Sequence, residues 1–180
     1  MNFRLTDMVY LFISWLLING VHGYGIYENR KKPFHTISEN FASIPSLLLI
    51  YRIAHVINGL LLFLIVSIAV DSGMHWGVLT LTAASILFEW AQAAVPYLNK
   101  WKVIHNFFAI CMATSMIGLG WSLFAHSDIY DAKALIALFA GSVALLSFAY
   151  VKHPPRPRSW VVQMITINSL YLQILMIFLV

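Results

Sequence analysis

Charged residues are scarce in this sequence: Asp, Glu, Lys and Arg together make up 10% of 180 residues. Soluble globular domains carry about 25%, so the scarcity excludes an ordinary soluble protein. Cysteine is nearly absent too, and because Cys111 stands alone it cannot form an intramolecular disulfide. The lysines and arginines are separated by long apolar runs, which leaves no continuous basic stripe. We therefore expect no nucleic-acid partner.

Apolar residues fill the chain instead, at 61% of the sequence. A membrane-spanning helix needs about 20 mostly apolar residues, and such segments are helical because lipid offers no partner for backbone polar groups. The sequence predicts an all-α fold, a polytopic membrane protein whose six transmembrane helices form one bundle and one domain over residues 1–180. The predicted spans are 8–26, 47–70, 75–96, 103–125, 132–151 and 159–180.

The charges of the loops predict the orientation. Loops one, three and five hold most of the basic residues, whereas the N-terminus and loops two and four are richer in aspartate. An excess of Lys and Arg in short loops marks the cytoplasmic face, so we expect the odd-numbered loops in the cytoplasm and both termini outside. A bacterial inner membrane and a eukaryotic endomembrane both fit. The basic residues of the odd-numbered loops are Arg30, Lys31, Lys32, Lys100, Lys102, Lys152, Arg156 and Arg158.

Polar residues within the predicted spans concentrate toward the odd-numbered loops. Ionisable groups inside a membrane cost about 2.5–3.5 kcal/mol each on insertion scales and usually face the bundle interior. Their shared depth therefore predicts that they meet in a pocket that opens toward loop one, where Ser38 and Glu39 lie. The residues at this depth are His22, Arg52, His55, Asn58, Glu89, His105 and Asn106.

A pocket that is basic at its rim and apolar beneath suits an amphiphile with an anionic headgroup. We expect membrane lipids as partners and a role in lipid handling or modification. If the protein is an enzyme, Glu89 and His105 are the predicted acid–base pair, and Ser38 is a third candidate catalytic residue. The predicted substrate-binding residues are His22, Glu39, Arg52, His55, Asn58 and Asn106.

The same residues have structural interpretations. Arg52 can extend to lipid phosphates from a helix end, and Glu89 can form a structural pair with Arg52 or His105. The histidines can be packing residues, and the asparagines can join helices. Ser38 and Glu39 can cap a helix, since they precede an apolar run that starts at Phe41.

Two other functional classes remain open. Histidine and glutamate together could bind zinc and activate water, although neither HExxH nor HxxxH occurs. His55 and His105 could instead be the axial ligands of a b-type haem. Alternatively, the chain is a non-catalytic subunit or scaffold that contacts a membrane protein partner or a second copy of itself through its helix faces.

The segment between the first two predicted spans resembles a known family. Ile37-Ser38-Glu39 resembles the I-S-[DE] pattern after the first span of FRAG/DRAM/Sfk-type six-helix membrane proteins and their uncharacterised bacterial relatives; Asn58-Gly59, Val95-Pro96 and His105-Asn106 also fit. The resemblance implies a six-helix bundle linked to lipid or lipid-anchor metabolism, and carries over Ser38, Glu39, Asn58 and His105. That family usually has a cytoplasmic N-terminus, opposite to the orientation that the loop charges predict.

Overall fold

The computed structural model describes residues 5–29, 36–71, 75–126, 135 and 159–177. The regular secondary structure in these ranges is helical, which confirms the predicted all-α class. The predicted fifth span, 132–151, lies outside the described residues except for Leu135, as do Arg30, Lys31, Lys32, Lys152, Arg156 and Arg158. The α-helices are α1 (Leu5–Glu28), α2 (Ile37–Ala42), α3 (Pro45–Asp71), α4 (Trp76–Ala94), α5 (Lys102–His126) and α6 (Ser159–Ile177).

Three of the described segments are long and apolar enough to cross a membrane: Met8–Glu28, Pro45–Ile68 and Asn99–His126. A further apolar stretch in α6 is shorter. Large apolar side chains on the outer faces of these helices, including Leu60 and Trp121, are exposed. Such surfaces suit lipid rather than water as the solvent, and the helices are compatible with an integral membrane protein.

Prolines account for two of the helix boundaries, and an asparagine shapes the turn that follows the second. Pro45 is the first residue of α3, where its missing N–H costs no hydrogen bond. At the other boundary, α4 ends at Ala94 because Val95 takes an extended backbone before Pro96. Asn99 then adopts a positive φ of 42° in a short 3-10 turn that leads into α5.

The short helix α2 lies in loop one, where hydropathy predicts no helix. A capping box starts it: Glu39 N–H donates to Thr36 Oγ1, and Thr36 N–H donates to a Glu39 carboxylate oxygen, both at 3.0 Å. The fully buried Phe41 holds α2 against α1, since a Cβ added at Gly25 would overlap its ring. The helix therefore closes the bundle at the loop-one end.

The helices pack around two apolar clusters. α4 packs along α5, α3 lies against α1 and α4, and α6 contacts α1, α2 and α5. One cluster, with Leu62 at its centre, fills the part of the bundle away from loop one. The other joins Phe41 of α2 to Tyr51 of α3. Along α3, His55 and Asn58 fall between Tyr51 and Leu62, so a polar layer separates the two clusters.

Candidate functional site

Two histidines and a glutamate form a continuous chain of hydrogen bonds across α1, α3 and α4. His55 Nδ1 lies 2.7 Å from Glu89 Oε1, and His55 Nε2 lies 3.2 Å from His22 Nε2. All three residues are less than 10% exposed. Histidine and carboxylate groups at this depth are costly unless they are bonded to each other, which explains why the three helices bring them together.

Asn58 extends this chain to α6. Its Nδ2 donates to Glu89 Oε1 at 2.9 Å, and its Oδ1 accepts from Tyr171 OH at 2.6 Å and from Ser14 Oγ. Sequence analysis did not single out Ser14 or Tyr171. Ser14 is eight residues before His22 and thus on the same face of α1, which was the available signal. The buried polar string consists of Ser14, His22, His55, Asn58, Glu89 and Tyr171.

Two atoms of the buried polar string have no hydrogen-bond partner among the described residues: His22 Nδ1 and Glu89 Oε2. Both are buried, and both stand at ends of the hydrogen-bonded chain. An imidazole nitrogen and a carboxylate oxygen can each accept a proton. The string therefore has two atoms at which an additional proton can bind.

An open cleft of about 320 Å³ lies between α3 and α4 beside the string. His55 belongs to both, since it lines the cleft and its ring bonds Glu89. The remaining wall is apolar apart from the Arg52 guanidinium and the Trp90 indole. We call this the Arg52 cleft; its lining residues are Arg52, His55, Val56, Trp90, Ala93 and Ala94.

Arg52 bonds backbone carbonyls of α4. Its Nη2 donates to Ala94 O at 2.7 Å and its Nε to Ala93 O at 3.4 Å. Carbonyls in the last turn of a helix lack intrahelical partners and carry partial negative charge, so this contact joins α3 to α4. Within the described ranges no carboxylate lies within ion-pair distance of Arg52.

Trp90 of α4 forms the wall of the cleft that faces α3. Its Nε1 donates to His55 O at 2.8 Å, and its indole lies directly over Gly59. A Cβ on residue 59 would overlap the indole, so only glycine lets α3 and α4 approach this closely. Gly59 thereby fixes the position of both Trp90 and the cleft.

His105 lies apart from the string. Its Nδ1 donates to Val95 O at 2.7 Å, and its Nε2 lies 3.2 Å from Gln92 Nε2. Both ring nitrogens are thus engaged at the junction of α4 and α5. The expected acid–base pair of Glu89 and His105 is not formed, because Glu89 pairs with His55 instead. Asn106, also predicted to bind substrate, is exposed.

Ser38 and Glu39 take structural positions in α2. Ser38 is buried, and no described histidine or carboxylate forms a hydrogen bond with it. Glu39 belongs to the capping box with Thr36, with Lys102 Nζ 4.0 Å from its other carboxylate oxygen. A nucleophilic serine needs an adjacent base, and the described part of loop one supplies none; His35 lies outside it.

The described residues do not favour zinc or haem. In the ranges that the structure covers, no three His, Cys, Asp or Glu side chains converge as metal ligands do. An axial haem ligand needs a free ring nitrogen. Both nitrogens of His55 are bonded, to Glu89 and His22, and those of His105 to Val95 and Gln92.

Comparison of the chain with protein-family models, with curated proteins and with solved structures found no match. The resemblance of Ile37-Ser38-Glu39 to the FRAG/DRAM/Sfk-type family therefore stays a prediction.

Proposed function

We propose that this chain is a six-helix integral membrane protein that binds the anionic headgroup of a membrane lipid in the Arg52 cleft and acts in lipid handling or modification. One observation carries the proposal: Arg52 places a cation without a described carboxylate partner in a cleft that is otherwise mostly apolar. A cation that contacts no anionic group inside a membrane is unfavourable. An anionic ligand would offset it.

The geometry of Arg52 leaves donors for that ligand. Nε and Nη2 are bonded to α4 carbonyls, and Nη1 has no hydrogen bond to a described residue. A guanidinium has five N–H groups in a planar fork that matches the oxygens of a phosphate. Arg52 can therefore hold α4 and a phosphodiester at the same time.

An apolar path leads away from the cleft. Val56, Leu60 and Leu64 recur every four residues along α3 and are each about half exposed, at 50, 54 and 51%. Residues at this spacing line one face of a helix, and this stripe begins at the cleft, because Val56 lines it. A lipid with its phosphate at Arg52 could lay an acyl chain along the stripe.

The predicted topology agrees with an anionic ligand. If the odd-numbered loops are cytoplasmic, the Arg52 cleft lies in the cytoplasmic leaflet, since Arg52 is near the loop-one end of α3. That leaflet is where anionic lipids create a negative surface potential. The six spans, this orientation and the lipid ligand together make up the proposal.

Native mass spectrometry tests the proposal. The full chain, in mild detergent, is incubated with equal amounts of phosphatidylglycerol and phosphatidylcholine. We expect preferential retention of phosphatidylglycerol, loss of the preference in Arg52→Gln, and partial retention in Arg52→Lys, because lysine keeps the charge but not the fork. The control is Lys102→Gln, which removes an exposed cation outside the cleft. Equal phosphatidylglycerol retention by wild type and Arg52→Gln would overturn the proposal.

A further inference from the structure

The hydrogen bonds of the buried polar string determine how many protons it holds. The Glu89–His55 contact needs one proton, and the contact between His55 Nε2 and His22 Nε2 needs another. With only these two protons, the three groups are one carboxylate and two neutral imidazoles, and their net charge is negative. A third proton has two open positions, Glu89 Oε2 and His22 Nδ1, and makes the string neutral overall.

A positive charge on the His55 face of α3 favours the negative form of the string. Arg52 supplies that charge, because it precedes His55 by three residues on the same face of α3, and both residues line the cleft. A nearby cation favours an ionised carboxylate. When an anionic headgroup neutralises Arg52, the string loses that compensation, and a buried net charge in a low-dielectric interior is unfavourable. The third proton removes the charge.

We propose that binding of an anionic headgroup in the Arg52 cleft is coupled to uptake of one proton by the buried polar string. This coupling depends on the proposed function and adds the proton as a second ligand. The proton comes from the aqueous phase, is held at Glu89 Oε2 or His22 Nδ1, and returns to water when the lipid leaves. Because linkage is reciprocal, headgroup affinity rises as the pH falls, by up to about tenfold per pH unit.

The other groups around His55 do not supply this proton. Tyrosine and arginine side chains in general keep their protons near neutral pH. On α5, His105 bonds Gln92 and Val95 rather than the string. On α2, Glu39 is engaged by Thr36 and Lys102. The titratable or charged groups facing His55 are His22 on α1, Tyr51 and Arg52 on α3, and Glu89 on α4, with Tyr171 of α6 joined through Asn58.

Calorimetry on the full chain in phosphatidylcholine nanodiscs measures the coupling. Short-chain phosphatidylglycerol, whose phosphodiester stays ionised, is titrated in HEPES and in Tris at the same pH; the difference in heat gives the protons taken up per lipid bound. Over a series of pH values we expect uptake to approach one proton in wild type. Glu89→Gln keeps the acceptor oxygen for His55 and Asn58 but lacks the charge, and should bind lipid without proton uptake.

The matched control is His126→Gln, which removes an exposed histidine at the far end of α5 and should leave proton uptake unchanged. Binding by wild type without proton uptake at any pH overturns the coupling but leaves headgroup binding intact. Absence of phosphatidylglycerol binding to wild type overturns the proposed function as well. Uptake that persists in Glu89→Gln shows that the negative charge of Glu89 does not drive it, and overturns the coupling. If Glu89→Gln does not fold, the pH series on the wild type tests the coupling by itself. A lipid affinity that does not change with pH overturns the coupling.

Discussion

At the scale of single residues, Asn58 of α3 bonds side chains of three other helices. Its amide nitrogen donates to Glu89 of α4, while its amide oxygen accepts from Ser14 of α1 and Tyr171 of α6. A carboxylate can only accept and a hydroxyl can donate, so the neighbours fix which way the amide points. Asn58 thereby holds Glu89 in the position where it also bonds His55.

We predict that Asn58→Leu lowers the free energy of unfolding by about 2–5 kcal/mol, because it removes three hydrogen bonds of roughly 0.6–1.7 kcal/mol each in a membrane bundle and leaves Glu89 with fewer partners. The measurement is unfolding by SDS in mixed micelles, followed by tryptophan fluorescence.

The control for this change is Asn106→Leu, because Asn106 is exposed and a surface substitution usually alters stability by no more than about 0.5 kcal/mol. Equal destabilisation by the two variants would show that Asn58 does not organise the bundle.

Depth along the helices predicts part of this site. His22, His55, Asn58 and Glu89 share a depth in the sequence, and the structure joins them by hydrogen bonds. His105 has the same depth but bonds elsewhere. Depth does not give the direction in which a side chain points around its helix axis, which depends on how the helices pack. Helices that are apolar on all faces carry little sequence signal for this direction.

At the scale of elements, the contact between α3 and α4 shapes the cleft. Gly59 allows the Trp90 indole to lie against the backbone of α3, and Trp90 Nε1 bonds His55 O. Arg52 joins the same two helices through Ala93 and Ala94. The cleft is therefore bounded by one helix pair whose separation a single glycine sets.

We predict that Gly59→Ala destabilises the protein by about 1–3 kcal/mol, as overpacked interiors do, because the new Cβ displaces Trp90. It should also reduce phosphatidylglycerol retention, since Trp90 lines the cleft. Thermal unfolding in detergent and native mass spectrometry measure the two effects.

Gly20→Ala is the matched control within α1, where an added Cβ meets nothing within 4 Å. Alanine is the better helix former by up to about 1 kcal/mol, so stability should stay the same or rise. A Gly59→Ala variant as stable and as lipid-retaining as Gly20→Ala would contradict the role of Gly59.

The helix boundaries follow from the sequence more directly than the contacts do. Long apolar runs and the prolines at 45 and 96 place α3 and α4 within a turn of their predicted ends. The helix α2 escaped prediction, because its six residues are too few for a periodic pattern to be recognised. Its capping box, Thr36 with Glu39, was the only local signal.

At the scale of the whole molecule, the orientation decides which leaflet the Arg52 cleft faces. The Arg52 cleft lies near the loop-one end of the bundle, because Arg52 follows soon after the start of α3 and Ala93 and Ala94 end α4. The basic odd-numbered loops predict that this end faces the cytoplasm. The resemblance to the six-helix family implies the reverse.

Cysteine labelling decides between these orientations. In a Cys111→Ser background, Leu98→Cys and His75→Cys place one exposed thiol at each end of α4 without changing a lysine or arginine. We predict that a membrane-impermeant maleimide labels His75→Cys in intact cells or right-side-out vesicles, and labels Leu98→Cys only after permeabilisation. The opposite pattern would place the cleft in the outer leaflet and support the orientation implied by the family.

The most direct test of headgroup binding is a solid-state NMR measurement of dipolar contact between arginine side-chain ¹⁵N and lipid ³¹P. The bilayer contains a small fraction of phosphatidylglycerol in a betaine lipid without phosphorus, so that any ³¹P contact reports the anionic lipid alone. Bidentate guanidinium–phosphate pairs have N···O distances of about 2.8 Å. We predict a strong ¹⁵N–³¹P contact in wild type that disappears in Arg52→Lys. A contact of the same strength in both proteins, or none in wild type, would contradict headgroup binding at Arg52.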